Sequence, residues 1–338
     1  MPTIKDVAKE AGVAVETVSR VLNNRGYISE KTRKKVQDAM KALDYTPNPV
    51  AQGLSKKNMD SIAIVVPHIV HPYFAKVISQ LEKEATKRNY KVILYNSSGD
   101  EKRESRIIQI CQNSFISGVV LFSSDISKET LDTFHIPIVL IERNPCGNTF
   151  SILCDNEQGG QLAAEHLIEQ GCRHMVAIGT LNVDNMPGDS RESIFQSVCA
   201  HNGCSCAVYR STPAEYTSME YHATIEAALD ENPDCDAIFC TSDLIAAQVI
   251  QVCNKRGKRI PEDIKLVGFD DVKLSRLTSP TITTIRQPIR EIVAQAIDTI
   301  IAANAHQEVK QSVIFPVSLV KRESTSKGSK RDSKLSKK

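Results

Sequence analysis

The sequence predicts an α/β protein with an N-terminal three-helix helix-turn-helix head, a hinge helix, and a body of two doubly wound α/β subdomains. Two short amphipathic helical patterns separated by Gly12 open the chain, which is the arrangement of a helix-turn-helix. From Ser61 onward, short apolar runs alternate with helical segments, which indicates parallel sheets covered by helices. A length of 338 residues suits several domains rather than one.

The head pattern assigns three helices. Thr3 and Asp6 provide a hydroxyl cap and a first-turn acid for the first helix, and Gly12 ends it. A third helix begins near Ser29. The apolar residues predicted to face a common core are Ile4, Val7, Ala8, Ala11, Ala14, Val18, Val21, Leu22, Val36, Ala39, Met40 and Leu43.

The outward face of the second helix carries polar side chains that suit base recognition in a major groove. Arg20 can donate two hydrogen bonds to guanine, Glu16 can accept one from cytosine, and Val15 can contact a thymine methyl group. The alternative is an ordinary solvated helix face. The residues predicted to bind DNA in the head are Thr3, Val15, Glu16, Thr17, Ser19, Arg20 and Asn23.

A short segment after the head is predicted to form a conditional helix. Pro47 and Pro49 end the third helix, and residues 50–56 are too few for a stable isolated helix. Gly53 lowers helix stability by about another 1 kcal/mol relative to Ala. We therefore expect helix only when a further contact stabilises it; a plain linker is the alternative.

Charge is distributed unevenly along the chain. Residues 1–60 hold 11 Lys and Arg against 7 Asp and Glu, residues 321–338 hold 8 against 2, and residues 61–320 hold 23 against 31. The basic N-terminal segment favours a head that binds a polyanion, and the acidic middle segment favours a body with a different function. Residues 324–338 have almost nothing to bury, so they are predicted to be a basic disordered tail.

Composition excludes several classes of protein. With 41% hydrophobic and 24% charged residues the chain is an ordinary globular protein. It has no long apolar run and no apolar leader, so we expect a cytoplasmic protein without a membrane partner.

Cys199, His201, Cys204 and Cys206 could hold zinc, but their spacing matches no common zinc motif. We expect neither a metal nor a cofactor, and reduced thiols.

The body alternates strand-like and helix-like segments in a number that suits two sheets. The predicted strands are Ile62–Val66, Val92–Tyr95, Gly118–Phe122, Ile138–Ile141, Met175–Ile178, Ala237–Cys240 and Leu266–Phe269. The helical segments between them include Tyr73–Asn89, Glu101–Asn113, Glu157–Gln170, Ser190–Asn202, Thr217–Asn232 and Leu244–Lys255. Ligands of such sheets bind at the carboxyl ends of the strands.

Catalytic motifs are missing from the body. No G-x-G-x-x-G, G-x4-G-K-[ST] or G-x-S-x-G motif is present, which weakens dehydrogenase, nucleotide-hydrolase and esterase readings. His68 and His71, between Pro67 and Pro72, suit a pocket wall or a helix cap better than catalysis. We therefore expect a protein that is not an enzyme.

Residues 3–23 and 45–54 resemble the DNA-binding head and hinge of the LacI/GalR (lactose repressor) family. Ala14 departs from the family pattern, which usually has a Ser helix cap there. The resemblance implies that two hinge helices of a dimer pair in the minor groove, with Leu54 as an apolar wedge between base steps. It adds Ala51, Gln52, Leu54 and Lys57 to the predicted DNA-binding residues.

The body also resembles this family and, through it, periplasmic sugar-binding proteins. The similar stretches are residues 71–74, 266–271 and 283–288; Arg191 fits the family motif R-x-x-G-F, although Ile194 replaces its Gly. The effector-binding residues that the resemblance implies are His71, Tyr73, Phe74, Asp125, Asp155, Arg191, Ser242, Asp243, Asp270 and Gln287. The alternatives are an interdomain ion pair for Asp270 and Arg191, and core packing for Tyr73 and Phe74.

The resemblance implies the following domains: a head at residues 1–46, a hinge at 47–60 and an effector-binding and dimerisation core at 61–323. Subdomain one covers roughly 61–157 and 288–316, and subdomain two roughly 158–285 and 317–323. The implied function is that of a homodimeric repressor that binds operator DNA and is switched allosterically by a small effector, a sugar or sugar derivative. A cytosolic sugar-binding or sugar-active protein is the alternative. Effector identity, its regulatory sign and tetramer formation stay open.

Overall fold

The structure is a computed structural model, and it describes residues 2–23, 26–46, 60–122, 126–180 and 187–326. The predicted hinge residues Ala51, Gln52, Leu54 and Lys57, the predicted pocket residue Asp125 and the tail beyond residue 326 lie outside these ranges. The chain divides into two compact units, residues 1–60 and 61–338. None of the helices in the described ranges has the length and apolar content that a membrane crossing needs.

The head contains α1 (Ile4–Ala11), α2 (Val15–Asn23) and α3 (Glu30–Ala42). The Thr3 hydroxyl accepts a hydrogen bond from the Asp6 amide, and the Asp6 carboxylate accepts one from the Thr3 amide at 2.7 Å. Gly12 caps α1 in the left-handed conformation, with a φ of 64°, which a side chain would disfavour. The predicted start and end of α1 are therefore confirmed.

The head core is small and apolar. Val7, Val18 and Val36 are fully buried, one from each helix, with Ala8, Ala11, Val21 and Ala39 around them. The prediction was wrong for Ala14, which is exposed. Ala14 precedes α2, where its carbonyl accepts hydrogen bonds from the amides of Thr17 and Val18, so its side chain lies outside the packed helix face.

The body consists of two six-stranded sheets. The first contains β1 (Ser61–Val66), β2 (Lys91–Asn96), β3 (Gly118–Phe122), β4 (Ile138–Ile141), β5 (Phe150–Cys154) and β11 (Ser312–Phe315), in the order β11-β5-β4-β3-β1-β2 and all parallel. The second contains β6 (His174–Gly179), β7 (Ser205–Arg210), β8 (Ala237–Cys240), β9 (Lys265–Phe269), β10 (Thr283–Arg286) and β12 (Ser318–Val320), in the order β12-β10-β9-β8-β6-β7. Only the β10–β12 pair is antiparallel among these. The predicted fold class is confirmed.

Helices connect the strands: α4 (Pro72–Lys87), α5 (Glu101–Asn113), α6 (Lys128–Leu131), α7 (Asn156–Glu169), α8 (Ser190–His201), α9 (Pro213–Ser218), α10 (His222–Glu231), α11 (Asp243–Lys255) and α12 (Ile289–Asn304). The prediction of one helix at residues 217–232 was wrong. The chain forms two helices there because Met219 adopts a left-handed conformation, with a φ of 60°, after α9.

Strands β1 and β3 are buried along their whole length, as central parallel strands are.

The connections bring strand ends from both sheets to one region. The chain passes from the first sheet to the second after β5, returns after β10 through α12, and crosses again between β11 and β12. Because most strands are parallel, the residues that follow β1, β4, β6, β8, β9 and β10 leave the sheets at carboxyl ends, where α/β sheets bind ligands.

Candidate functional site

The outward face of α2 presents two charged side chains one helical turn apart. Glu16 and Arg20 are exposed, at positions i and i+4, while Val18 and Val21 anchor the opposite face in the head core. This spacing allows both side chains to enter one groove.

The other predicted DNA-binding residues of the head are more constrained. Val15 packs against the edge of the core, and Thr17 and Ser19 are half-buried. The Asn23 side-chain amide donates a hydrogen bond to the Ser19 carbonyl at 2.8 Å, and the Thr3 hydroxyl is engaged in the α1 cap. Arg20 and Glu16 are thus the long side chains of this set that stay available to a partner.

The body encloses a cavity of about 160 Å³. A cavity of roughly 150 Å³ holds a benzene-sized molecule, so this one has room for about one six-membered ring. Its walls come from the ends of strands of both sheets and from the loops and helices that follow them. The lining residues are His68, His71, Tyr73, Phe74, Phe122, Ile141, Glu142, Thr180, Gly188, Asp189, Arg191, Glu192, Tyr216, Tyr221, Thr241, Ser242, Asp270 and Gln287. A ligand in this cavity would contact both halves of the body.

One wall is aromatic. The Phe74 ring lies 5.2 Å from that of Tyr73, 5.5 Å from that of His71 and 5.8 Å from that of Phe122, measured between centroids. Tyr73 is buried, and its hydroxyl donates to the Gln287 side-chain carbonyl at 3.4 Å. Phe74 both lines the cavity and packs against the main core, so the two roles considered for it coexist. Such rings suit the apolar face of a sugar or another ring.

Two histidines border this wall. His71 caps α4: its Nδ1 accepts a hydrogen bond from the Tyr73 amide at 3.2 Å, with Pro72 at the first helical position. Burial, reinforced by nearby His68, lowers the His71 pKa to about 4, so the ring is neutral and carries its proton on Nε2. The His68 ring lies 5.4 Å from that of Tyr216, another lining residue, in an edge-to-face arrangement. Burial also lowers the His68 pKa.

Arg191 also lines the cavity and lies at the start of α8. Its Nε donates to Asn156 Oδ1 at 2.6 Å, its Nη1 donates to the Thr241 carbonyl at 3.0 Å, and its Nη2 lies 3.7 Å from Glu142 Oε2. The guanidinium carbon stands 3.7 Å above the centre of the Phe269 ring, a cation–π geometry.

Close packing of α7 and α8 positions Arg191. A Cβ on Gly160 would lie 2.3 Å from the Arg191 carbonyl oxygen, so glycine on α7 permits this approach. Ile194, which replaces the Gly of the related motif, is half-buried on α8.

Asp270 follows β9 and is 4% exposed. Its Oδ1 accepts a hydrogen bond from Gln287 Nε2 at 2.7 Å, and the Lys76 ammonium donates to the carbonyl oxygens of Asp270 and Asp271. Burial raises the Asp270 pKa to about 7, against the opposing effects of Arg191, Gln287 and Lys76. Its backbone φ of 105° is unusual for a residue with a side chain, a strain often found at functional sites.

Besides Asp270, three carboxylates line the cavity, from Glu142, Asp189 and Glu192. Glu142 follows β4 with a φ of 56° and accepts hydrogen bonds from the Cys154 amide at 2.6 Å and the Asn156 side chain at 2.8 Å. Glu192 is 2% exposed, and Arg210 Nε donates to it at 2.8 Å. Burial raises the Glu192 pKa to about 7, although Arg210 opposes the shift.

The structure brings together seven of the ten predicted pocket residues: His71, Tyr73, Phe74, Arg191, Ser242, Asp270 and Gln287. Asp155 instead caps α7, accepting from the Gln158 amide at 2.8 Å. Asp243 is fully buried, where one oxygen accepts from the Thr284 hydroxyl at 2.6 Å and the other from the Val272 amide at 2.8 Å. Neither of these carboxylates lines the cavity, because local hydrogen bonds turn them to other partners.

Sequence reasoning missed several lining residues. Glu142 and Thr241 directly follow the predicted strands Ile138–Ile141 and Ala237–Cys240, so the strand-end rule could have found them. Tyr216, Tyr221 and Glu192 lie on or beside helices, and no local pattern distinguishes them from surface or core residues.

The cysteine–histidine cluster is not assembled as a metal site. Cys199 Sγ contacts the Met175 sulfur at 3.5 Å, while exposed His201 bonds through Nδ1 to the Ser197 carbonyl. Across the ranges that the structure describes, no group of three or more His, Cys, Asp and Glu side chains has metal-binding geometry.

Comparison with known proteins covers both units. A family model described as bacterial regulatory proteins, lacI family, matches residues 3–48, and a periplasmic binding protein-like domain model matches residues 164–325. The ribose operon repressor of Halalkalibacterium halodurans is 34% identical, covering 87% of this chain and 88% of that protein. The sucrose operon repressor of Streptococcus mutans is 33% identical, covering 95% and 98%. A crystal structure of the Lac repressor dimer bound to operator and the anti-inducer ONPF superposes with a TM-score of 0.83 at 25% identity, covering 96% and 99%.

Proposed function

Because this chain belongs to the lacI family of bacterial regulatory proteins, a family of DNA-binding transcriptional regulators, we propose that it is a homodimeric repressor controlled by a sugar-like effector. The observation that carries the proposal is the combination of two sites in one chain. The head exposes Arg20 and Glu16 on the second helix of a helix-turn-helix, and the body holds a ring-sized cavity lined by polar and aromatic groups from both sheets.

The cavity supports an allosteric mechanism. Tyr73 and Glu142 come from the first half of the body, and Arg191 and Asp270 from the second, so an effector that contacts all four favours one relative arrangement of the halves. We propose that this arrangement controls the hinge at residues 47–60, where Leu54 acts as the minor-groove wedge in the operator complex. The operator site and the effector site are then coupled through one bistable segment, and the coupling is reciprocal.

We propose the head residues Thr3, Val15, Glu16, Thr17, Ser19, Arg20 and Asn23 as the operator-contacting set, with Arg20 as the principal base reader. Arg20→Ala is expected to weaken operator binding by about 1–3 kcal/mol and to relax the preference at one base pair, because a bidentate contact to guanine is lost. Binding-site selection followed by gel shift on the selected operator measures both effects.

Lys31→Ala is the matched control, since Lys31 is an exposed cation in the first turn of α3 rather than on α2. It should leave the selected sequence unchanged. If Arg20→Ala weakened binding to operator and to random DNA equally, Arg20 would contact a phosphate instead of a base.

The edge of the first sheet supports a dimer. Strand β2 is an edge strand and exposes Ile93 and Leu94 by 37% and 39%. Exposed apolar residues on an edge strand favour association with another chain. We propose that β2 belongs to the dimer interface.

Ile93→Asp is expected to raise the dimer dissociation constant at least roughly tenfold, because an unpaired carboxylate would be buried in the contact. Ile314→Asp is the control: it places the same substitution on β11, the opposite edge of the same sheet, where Ile314 is 59% exposed. Analytical ultracentrifugation compares the two variants. Dissociation by Ile314→Asp with an intact Ile93→Asp dimer would move the interface to the β11 edge.

We propose that the cavity binds its ligand without converting it. The His71 Nδ1 is committed to the Tyr73 amide and Arg191 to three protein acceptors, so these groups suit binding rather than proton transfer. Thermal melting against a panel of sugars and nucleosides identifies the ligand class, since a ligand at 100 times its Kd adds about 2.7 kcal/mol of stability. Chemical turnover of a stabilising sugar would instead support an enzyme.

A further inference from the structure

The cavity has an excess of negative charge. Among the lining residues that the structure describes, Glu142, Asp189, Glu192 and Asp270 carry carboxyl groups, and Arg191 carries the one cationic side chain. Burial raises the pKa of Asp270 and Glu192 to about 7, so the full negative charge is present above pH 7. Both lining histidines are neutral near pH 7, because burial lowers the pKa of His68 and lowers that of His71 to about 4.

The single cation is already committed to the protein. All three nitrogen atoms of Arg191 face acceptors, on Asn156, on the Thr241 carbonyl and on Glu142. Its opposite side is covered by the Phe269 ring. Moving this guanidinium toward a ligand phosphate would leave Glu142, whose side chain is only 15% exposed, without its cationic partner, which is costly.

Two neighbouring cations, Arg210 and Lys76, are also engaged. Arg210 pairs with Glu192, and the Lys76 ammonium donates to the carbonyl oxygens of Asp270 and Asp271. Neither Arg210 nor Lys76 is among the lining residues. A phosphate or carboxylate on a ligand would therefore meet several carboxylates and, among the described lining residues, one guanidinium whose charge is already paired with Glu142.

We propose that this cavity selects ligands by charge, a proposal that rests on the proposed effector-binding function. The cavity accepts uncharged polyhydroxyl rings and rejects their phosphorylated or carboxylated counterparts. Glu192 is one determinant of this selectivity. Carboxylates accept hydrogen bonds from ligand hydroxyl groups, and the aromatic wall covers apolar ring faces. The same carboxylates repel an anion inside a partly desolvated cavity, where charge interactions are stronger than in water.

Glu192 affects charge selection in two ways: through its own carboxylate and through the position of Arg210. It is the lining residue that holds the Arg210 guanidinium, whose side chain is 38% exposed. Because the pKa of Glu192 is about 7, Glu192→Gln at pH 8 removes most of one negative charge from the wall, and it also weakens the hold on Arg210. Both changes favour an anionic ligand, whereas a neutral sugar loses at most one charge-assisted hydrogen bond.

The test compares matched pairs of probes on the full-length protein: D-ribose with D-ribose 5-phosphate, D-fructose with D-fructose 6-phosphate, and D-glucose with D-glucose 6-phosphate and D-gluconate. Thermal melting and isothermal titration are run at equal ligand concentrations and at pH 8, where Asp270 and Glu192, each with a pKa of about 7, are mostly ionised. At least one neutral sugar should bind, and its anionic counterpart should bind roughly 100-fold more weakly or worse, which corresponds to about 2.7 kcal/mol. Glu192→Gln should lower the ratio of the dissociation constant of the anionic probe to that of the neutral sugar at least roughly tenfold, which corresponds to about 1.4 kcal/mol.

Glu169→Gln is the matched control, because Glu169 is exposed at the end of α7 and outside the cavity; it should leave the ratio unchanged. Melting of ligand-free Glu192→Gln verifies that the variant is folded. An anionic probe that binds as tightly as its neutral parent, or a panel in which no neutral sugar binds, overturns the proposal. Operator gel shifts without sugar test the DNA-binding function separately, so a failure of charge selection is distinguishable from a failure of the proposed function.

Discussion

Asp270→Asn is expected to raise the melting temperature of the body at pH 8 by roughly 10 °C, while having little effect near pH 4. Asp270 is 4% exposed, and its carboxylate has a pKa raised from 3.8 to about 7 by burial. In the unfolded chain the same group ionises near 3.8. Each unit of difference corresponds to about 1.36 kcal/mol, so the ionised buried group destabilises the fold by an amount on the order of 4 kcal/mol.

The pH window follows from the sign of this shift. Below pH 3.8 the carboxyl is protonated in both states and contributes no penalty. Between pH 3.8 and about 7 the unfolded chain has released its proton and the folded chain has not, so stability falls as the pH rises. Above about pH 7 the penalty is complete, and asparagine, which keeps the shape and the contact with Gln287, removes it.

The same substitution should weaken effector binding roughly 10- to 100-fold, because hydrogen bonds from ligand hydroxyl groups to a charged acceptor are replaced by neutral ones. Asp263→Asn is the control: Asp263 pairs with Arg259 on the surface, and that contact lowers its pKa to about 2. This control should not gain stability at pH 8. An Asp270→Asn variant less stable than the parent at pH 8 would mean that the folded protein stabilises the ionised carboxylate.

Arg191→Ala should lower the stability of the body by about 3–5 kcal/mol and abolish the effector response. The substitution removes the cation beside Glu142, whose side chain is 15% exposed, and leaves Asn156 Oδ1 and the Thr241 carbonyl without this donor. It also opens space above the Phe269 ring. Thermal unfolding and effector titration measure the two effects.

Arg259→Ala provides the comparison, because the Arg259 side chain is 69% exposed in a surface pair with Asp263. A surface pair of this kind is worth about 0–1 kcal/mol, so this variant should melt almost like the parent. Arg191→Lys restores the charge without the planar fork, and should recover stability better than effector binding. If Arg191→Ala melted like Arg259→Ala, the buried guanidinium network would contribute nothing to the fold.

The sequence by itself determined the helix caps and the helical periodicity of the head and the buried strands of the body. The Thr3 cap, the left-handed Gly12 and the apolar spacing of Val7, Val18 and Val36 specify the head, because capping and helical periodicity act within a few residues. In the body, continuous apolar runs mark the buried parallel strands, and a residue such as Asp270 is found at a strand end by counting alone.

The tertiary structure decided which polar side chains share the cavity and in what state. Asp243 and Asp270 both lie at strand or helix ends, but only packing turns Asp243 to Thr284 and Val272 and leaves Asp270 facing the cavity. Glu142, Arg191 and Tyr216 are separated by dozens of residues, and no periodicity relates them. Burial and charge depend on how the two sheets enclose these groups. The raised pKa of Asp270, the neutral His71 and the commitment of Arg191 are therefore properties of the folded chain, because each arises from desolvation and contacts between distant segments.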